Sequence, residues 1–330
     1  IPSFPPDAKG IASRDSSGKV LNAIAKHHPW LLGGSADLAP STKTRLTFDG
    51  AGDVSRDALG GRNLHFGVRE HAMGSILNGL ALAKLRAYGS GFLIFSDYGK
   101  ASLRLAAIME LPVIYVFTHD SIGVGEDGPT HQPVEHLAAL RSIPGLIDMR
   151  PCDANEVAEA WRFIMALKHE PVALILSRQA LPTLDRTKYA PASGVRRGAY
   201  VLSEAANGQP DVLLLATGSE VSLCIAAQAE LAKQGIHARV VSMPSWKLFE
   251  DQDEAYRESV LPSAVRARVS VEQAARFGWE RYVGLDGERI GMRTFGESAP
   301  LQKLVKKFGF TVDNVVAAAR NQVKKNKQTN

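Results

Sequence analysis

The chain has 330 residues, 45% of them hydrophobic and 22% charged, with a formal net charge of +5. That is length enough for two domains with full cores, and no apolar run approaches the ~20 residues of a membrane span. No basic helix or aromatic-basic ladder points to nucleic acid, while a mild positive charge suits anionic small substrates.

The start, Ile1 to Pro6, has neither the basic region nor the apolar core of a signal peptide and reads as an interdomain linker. Cys152 and Cys224 stand apart, without zinc or CxxC spacing, which fits a reducing compartment. Arg14 opens a helical segment through Val20, Leu21 and Ile24. Trp30-Leu31-Leu32 reads as a buried strand running into a glycine turn, Gly33-Gly34, and then an acid, Asp37. Ser41 follows in a polar excursion that lasts to residue 62.

Next comes Asn63-Leu64-His65-Phe66-Gly67-Val68-Arg69-Glu70. After it, Met73, Ile76, Leu77 and Leu80 fall at i, i+3, i+4 and i+7, one face of a helix. Glu70 therefore sits at a strand-to-helix junction, where a plain helix-end charge effect would also explain an acid. Tyr88-Gly89-Ser90-Gly91 precedes three aromatics, Phe92, Phe95 and Tyr98. Their spacing fits one helical face or a tight turn, serving either core packing or a wall for a flat heterocycle.

Val113 to Phe117 is continuously apolar, as strands covered on both faces are. It empties into Thr118 to Pro133, sixteen positions holding two histidines, three acids and two prolines. A merely structural loop has no need of so many titratable groups, and loops on a rigid sheet are where function concentrates. His119 and His131 lack the spacing of helix-borne metal ligands, so no metal site is expected. Val172 to Leu176 is a further strand, followed by Ser177-Arg178-Gln179; Arg178 is a planar donor suited to phosphate. Asp37, Glu70, His119 and Arg178 thus each follow an apolar run, and parallel α/β sheets bind ligands outside the carboxyl ends of their strands.

Residues 181 to 198 read as a linker. A second unit begins at Val212 to Ala216. Thr217-Gly218-Ser219 then opens a helix through Gln234, as a cap or an anion site. Strands follow at Ala238 to Met243 and at Ala267 to Val271, the latter ending at Glu272. Alternating strands and helices imply parallel sheets. The expected architecture is two three-layer α/β domains: residues 1–190 with a larger, mostly parallel sheet, and residues 191–330 with a smaller one.

The motifs Gly33 to Leu38, Gly67 to His71, Thr118 to Pro133, Leu176 to Gln179, Ala216 to Glu220 and Phe295 to Pro300 resemble those of transketolase, a thiamine diphosphate enzyme. The likeness runs from about Arg14 to Val316 and covers that family's pyrimidine-binding and C-terminal domains. It implies transfer of a two-carbon ketol unit from a ketose phosphate to an aldose phosphate, in the pentose phosphate pathway or Calvin cycle. By the same resemblance Glu70 bonds the ring nitrogen of the cofactor's aminopyrimidine, and Phe92, Phe95 and Tyr98 form the pocket for that ring. Asp37 lies toward the thiazolium. Asp127 and His131 meet the sugar hydroxyls, with His131 also a proton carrier. Arg14, Ser41, His119 and Arg178 hold the substrate phosphate. The role of Glu70 needs burial to raise its pKa by more than the helix end lowers it.

The family's Mg²⁺ or Ca²⁺ and diphosphate are held by an N-terminal domain with a Gly-Asp-Gly motif. This sequence has no such motif, so half a cofactor site is expected here, the chain being either a fragment of a longer, homodimeric enzyme, in which the diphosphate half of the other subunit faces it, or one subunit of a split one. On this reading the chain is inactive alone and cytoplasmic, or plastidic in a photosynthetic eukaryote. Rival readings are a β-type subunit of a 2-oxoacid dehydrogenase, a deoxyxylulose-phosphate synthase-like enzyme, and a non-catalytic dimerisation or regulatory piece. The His119/Asp127/His131 loop argues against the first, and Glu70 beside three aromatics against the last.

Overall fold

The computed structural model describes residues 1–328. A short strand, β1 (Asp7–Ala12), leads into the helix Ser13–Ala25. Six strands then form one wholly parallel sheet: β2 (Leu31–Ser35), β3 (Asn63–His65), β4 (Arg86–Phe92), β5 (Ile114–Thr118), β6 (Ile147–Met149) and β7 (Val172–Ile175). Their order across the sheet is β3-β2-β4-β5-β7-β6. β8 (Ala180–Thr183) pairs antiparallel with β1 as a separate ribbon. Residues 181–183 of the stretch expected to be linker therefore lie in a strand.

The second sheet holds β9 (Tyr200–Ser203), β10 (Val212–Ala216), β11 (Ala238–Ser242), β12 (Arg268–Ala275) and β13 (Glu288–Met292), in the order β13-β12-β10-β11-β9. All its pairs are parallel except β9 with β11. Helices flank both sheets, giving the two α/β domains that the alternating pattern implies. Every residue of β5 and of β10 is buried, as continuously apolar strands in covered parallel sheets are. Two of the packed helices, Ser13–Ala25 and Ala154–Ala166, are tied by Trp161, whose buried indole Nε1 donates to Ser17 Oγ at 2.8 Å. No helix among the described residues is long and apolar enough to cross a membrane.

Three local expectations are corrected. Gly33 and Gly34 do not make a turn but lie inside β2. A Cβ at Gly33 would fall 1.9 Å from the Tyr88 carbonyl oxygen, and one at Gly34 1.7 Å from that of Leu64. The glycines let both neighbouring strands close in. The seven-residue central strand β4 was not anticipated, because Gly89, Ser90 and Gly91 dilute its apolar signal. Glu272 lies within β12 rather than past its end, where paired guanidinium groups make a buried acid tolerable.

The two sheets are joined through buried ions. Arg150, fully buried after β6, donates from Nε to Asp120 Oδ2 at 2.9 Å. From Nη1 it donates to Glu220 and, at 2.8 Å, to Thr217 Oγ1. Thr217 passes the chain on to Glu272 Oε1 at 2.7 Å, and Arg141 grips both Glu272 oxygens at 2.8 and 2.9 Å. Thr217-Gly218-Ser219 is thus occupied by a guanidinium and does not present itself to an anion. A second joint centres on the buried Glu156, which accepts from Tyr200 Oη at 2.6 Å and Ser242 Oγ at 2.8 Å.

Candidate functional site

The strand order places the carboxyl ends of β3, β2, β4, β5 and β7 side by side. Reading along that edge, the groups at or past them are Glu70, Asp37, Phe92, His119 and Arg178. Residues distant in sequence are therefore brought to one rim by the parallel topology.

Glu70 is the first residue of the helix Glu70–Leu82 and is half-buried. Its Cβ lies 3.6 Å from where a Cβ on Gly99 would stand, so the acid packs directly on the helix that bears Tyr98. The three aromatics do not share a helical face. Phe92 ends β4, Phe95 closes a single 3₁₀ turn, and Tyr98 stands in the first turn of the helix Ser96–Ile108. They nevertheless form a continuous set. Phe92 and Phe95 stack with ring centroids 5.8 Å apart, and Phe95 lies 6.2 Å from Tyr98. His131 meets Phe95 edge-on at 5.7 Å, and His119 stacks on Phe92 at 3.6 Å. Exposure rises along the set, from 8% at Phe92 to 68% at Tyr98.

His119 is buried, with φ of +60°. Its Nε2 lies 3.3 Å from Arg14 Nη1 and its Nδ1 2.8 Å from Thr118 Oγ1. A guanidinium can only donate, so Nε2 is an acceptor and the ring proton sits on Nδ1. The charged form is disfavoured accordingly. Burial, and then the nearby Arg14, Arg178 and His131, push the imidazole pKa down to about 3. Arg14 also donates from Nη1 to the Ser41 carbonyl at 3.0 Å, so it is the backbone of Ser41 that meets the guanidinium. Arg14 and Arg178 are close enough to repel one another. Two cations and a neutral imidazole at one end of the rim make a place for a multiply charged anion.

Asp127 is exposed at the end of the 3₁₀ segment Ile122–Asp127, and His131 is half-buried four residues on, its Nδ1 3.0 Å from Thr130 Oγ1. Asp37, with φ of +62°, is exposed and lines a concavity with Ser35, Arg45, His65 and Gly67. Sequence reasoning missed Gln132 and Gln179, which border this loop, and the pair His136–Asp97, whose Nε2 and Oδ2 are 3.0 Å apart beside Tyr98. The two glutamines stood inside motifs already singled out, but their amides carry no titratable signal.

A parallel-sheet domain whose strand ends carry aromatic, acidic and cationic groups, joined to a second, mostly parallel one, defines a two-domain α/β protein with a candidate ligand site on the first sheet. Residues 9–183 match the family model "Transketolase, pyrimidine binding domain", and residues 198–311 match "Transketolase-like TK C-terminal domain". The transketolase of Geobacillus stearothermophilus is 56% identical over 309 residues, 93% of this chain and 46% of that protein. The structure superposes on a Pichia stipitis transketolase described in complex with sedoheptulose 7-phosphate, with a TM-score of 0.92 and 40% identity, over 99% of this chain and 48% of that one. It also matches a split-gene transketolase described as an inactive β4 tetramer, with a TM-score of 0.75 and 25% identity, over 96% of this chain and 99% of that one. The chain belongs to the transketolase family. It spans about half the length of the curated relatives it matches.

Proposed function

We propose that this chain supplies the pyrimidine- and substrate-binding half of a transketolase site, acting on sugar phosphates once a diphosphate-binding half faces it. The observation that carries the reading is the single rim on which Glu70, the Phe92/Phe95/Tyr98 set and the Arg14/His119/Arg178 group stand in strand order. The residues suit the pyrimidine of thiamine diphosphate: stacked rings offer a face, and a carboxylate at a helix start offers an edge partner. When bound, that cofactor supplies the electron sink for the two-carbon unit, and the protein supplies position and proton transfer.

Glu70 holds a proton toward the ring nitrogen. Its half-buried state becomes a buried one when the facing half covers it. Exposed Val68 and Tyr98 lie beside it as apolar groups for that half to cover. Asp37 stands toward the thiazolium side. Asp127 and His131 take the sugar hydroxyls, His131 moving a proton at its imidazole. Arg14, the Ser41 backbone, His119 and Arg178 hold the phosphate, so that binding energy far from the reacting carbon fixes its orientation. The diphosphate and its Mg²⁺ or Ca²⁺ belong to the facing half, whether a second copy of a longer chain or a separate subunit. The domains are taken as residues 1–190 and 191–330.

The test is to supply the chain with a diphosphate-binding half and offer xylulose 5-phosphate with an aldose phosphate, or pyruvate. Ketol transfer with no pyruvate turnover is expected. Pyruvate consumption without ketol transfer would move the assignment to a 2-oxoacid dehydrogenase or deoxyxylulose-phosphate synthase type. Neither activity would leave the non-catalytic reading.

A further inference from the structure

The loop bearing Asp127 and His131 is held at both ends by the second domain. Gln132 is 1% exposed, and its Nε2 donates to the carbonyls of Gly125 at 2.7 Å and Glu297 at 2.9 Å. Ser298 Oγ donates to the Glu126 carbonyl. Residues 125–126 immediately precede Asp127, and Gln132 immediately follows His131, so these bonds bracket the segment that carries both groups. The fit leaves no slack. A Cβ on Gly296 would fall 1.7 Å from Gln132 Oε1, and one on Gly123 2.2 Å from Gln179 Oε1. The loop is threaded between the residue after Arg178 and the segment that precedes the helix Leu301–Lys307.

We propose that Gln132 is a positioning residue: clasped by residues 296–298 of the second domain, its amide sets where His131 and Asp127 stand against the substrate. The C-terminal domain then shapes donor selectivity while contributing no group to the reacting carbon. An amide suits this task because both Nε2 hydrogens are used, one within the loop and one across the domain joint, and neither bond depends on pH. The inference rests on the reading of Asp127 and His131 as partners of sugar hydroxyls.

The experiment compares kcat/KM for a ketose phosphate with that for hydroxypyruvate, a 2-keto donor lacking the hydroxyls beyond the transferred unit. It uses the chain joined to a diphosphate-binding half. Gln132→Ala and Gly296→Ala are expected to lower the ketose value by roughly tenfold to a hundredfold, as small displacements of positioned groups do, with hydroxypyruvate little changed. Because the two residues touch, the double variant should be no worse than Gly296→Ala alone. Ser298→Ala, which removes one hydroxyl and adds no clash, should shift the same ratio in the same direction and keeps the test available if the other variants fail to fold. Equal losses for both donors would overturn the proposal in favour of general destabilisation. His131→Ala is the reference. If it leaves the donor ratio unchanged, the reading of the loop fails and the clasp falls with it. If His131→Ala shifts the ratio and the three clasp variants do not, the clasp alone is wrong.

Discussion

Replacing Arg150 by methionine should unfold this protein at much milder denaturant. The side chain is fully buried and is the shared cation of Asp120, just past β5 of the first sheet, and Glu220, at the start of the helix that follows β10 of the second. Both carboxylates are themselves essentially inaccessible. Methionine fills much of the volume but leaves them without a counter-charge, and removing one partner of a buried ion pair costs about 3–5 kcal/mol. At the middle of that range the folding equilibrium falls by about a thousandfold. Urea unfolding followed by tryptophan emission reads both domains, since Trp161 lies in the first and Trp279 in the second, each at most 1% exposed. A triple change, Arg150→Met with Asp120→Asn and Glu220→Gln, should recover most of the loss, because nothing charged is then stranded. A single-variant loss below about 1 kcal/mol, the size of a surface pair, would refute the claim that this cation couples the domains.

Other expectations follow from the same geometry. Burial alone would raise the Glu272 carboxyl, but Arg141 and Arg150 outweigh it and hold its pKa at about 2, against an ordinary 4.5. A depressed acid contributes stability above its unfolded pKa and loses it as pH falls through the folded one. Wild-type stability should therefore drop between pH 4.5 and 2 by about 3 kcal/mol from this group, and Glu272→Gln should flatten that leg of an acid titration. His119 should stay neutral, with its proton on Nδ1, from pH 8 down to pH 5; histidine nitrogen NMR showing an imidazolium in that range would contradict the Arg14 contact. Arg14→Ala should raise KM about tenfold to a hundredfold for phosphorylated donors, the worth of a charge-assisted hydrogen bond, and leave unphosphorylated analogues nearly unaffected; equal effects on both would remove Arg14 from phosphate binding.

The sequence made the rim readable before any coordinates, because a parallel sheet turns "acid or base after an apolar run" into "group at one edge". Asp37, Glu70, His119 and Arg178 follow that rule, and β5, β7, β10 and β11 were legible as apolar runs. The rule works poorly where small residues carry a strand: Gly33 and Gly34 looked like a turn, and Gly89 to Gly91 hid the central strand, since the signal of each lies in what neighbouring backbones exclude. The aromatic trio was found by spacing although its members sit on three different elements, because a strand end, a 3₁₀ turn and a helix start curl into one wall. The ion chain through Arg150 was illegible, for nothing local to Asp120, Glu220 or Glu272 indicates a shared cation distant in sequence. Gln132 was equally silent, an uncharged amide whose cross-domain partner, the Glu297 carbonyl, lies 165 residues away.

The acid at the start of the helix Glu70–Leu82 is the group on which ketol transfer depends most directly under this proposal. The most direct measurement is ketol transfer by the chain joined to a diphosphate-binding half, comparing wild type with Glu70→Ala under saturating thiamine diphosphate and Mg²⁺. Loss of at least a hundredfold in kcat, the usual scale of a lost proton-transfer group, with the fold intact by circular dichroism, is the predicted result. Unchanged turnover in the variant would contradict it.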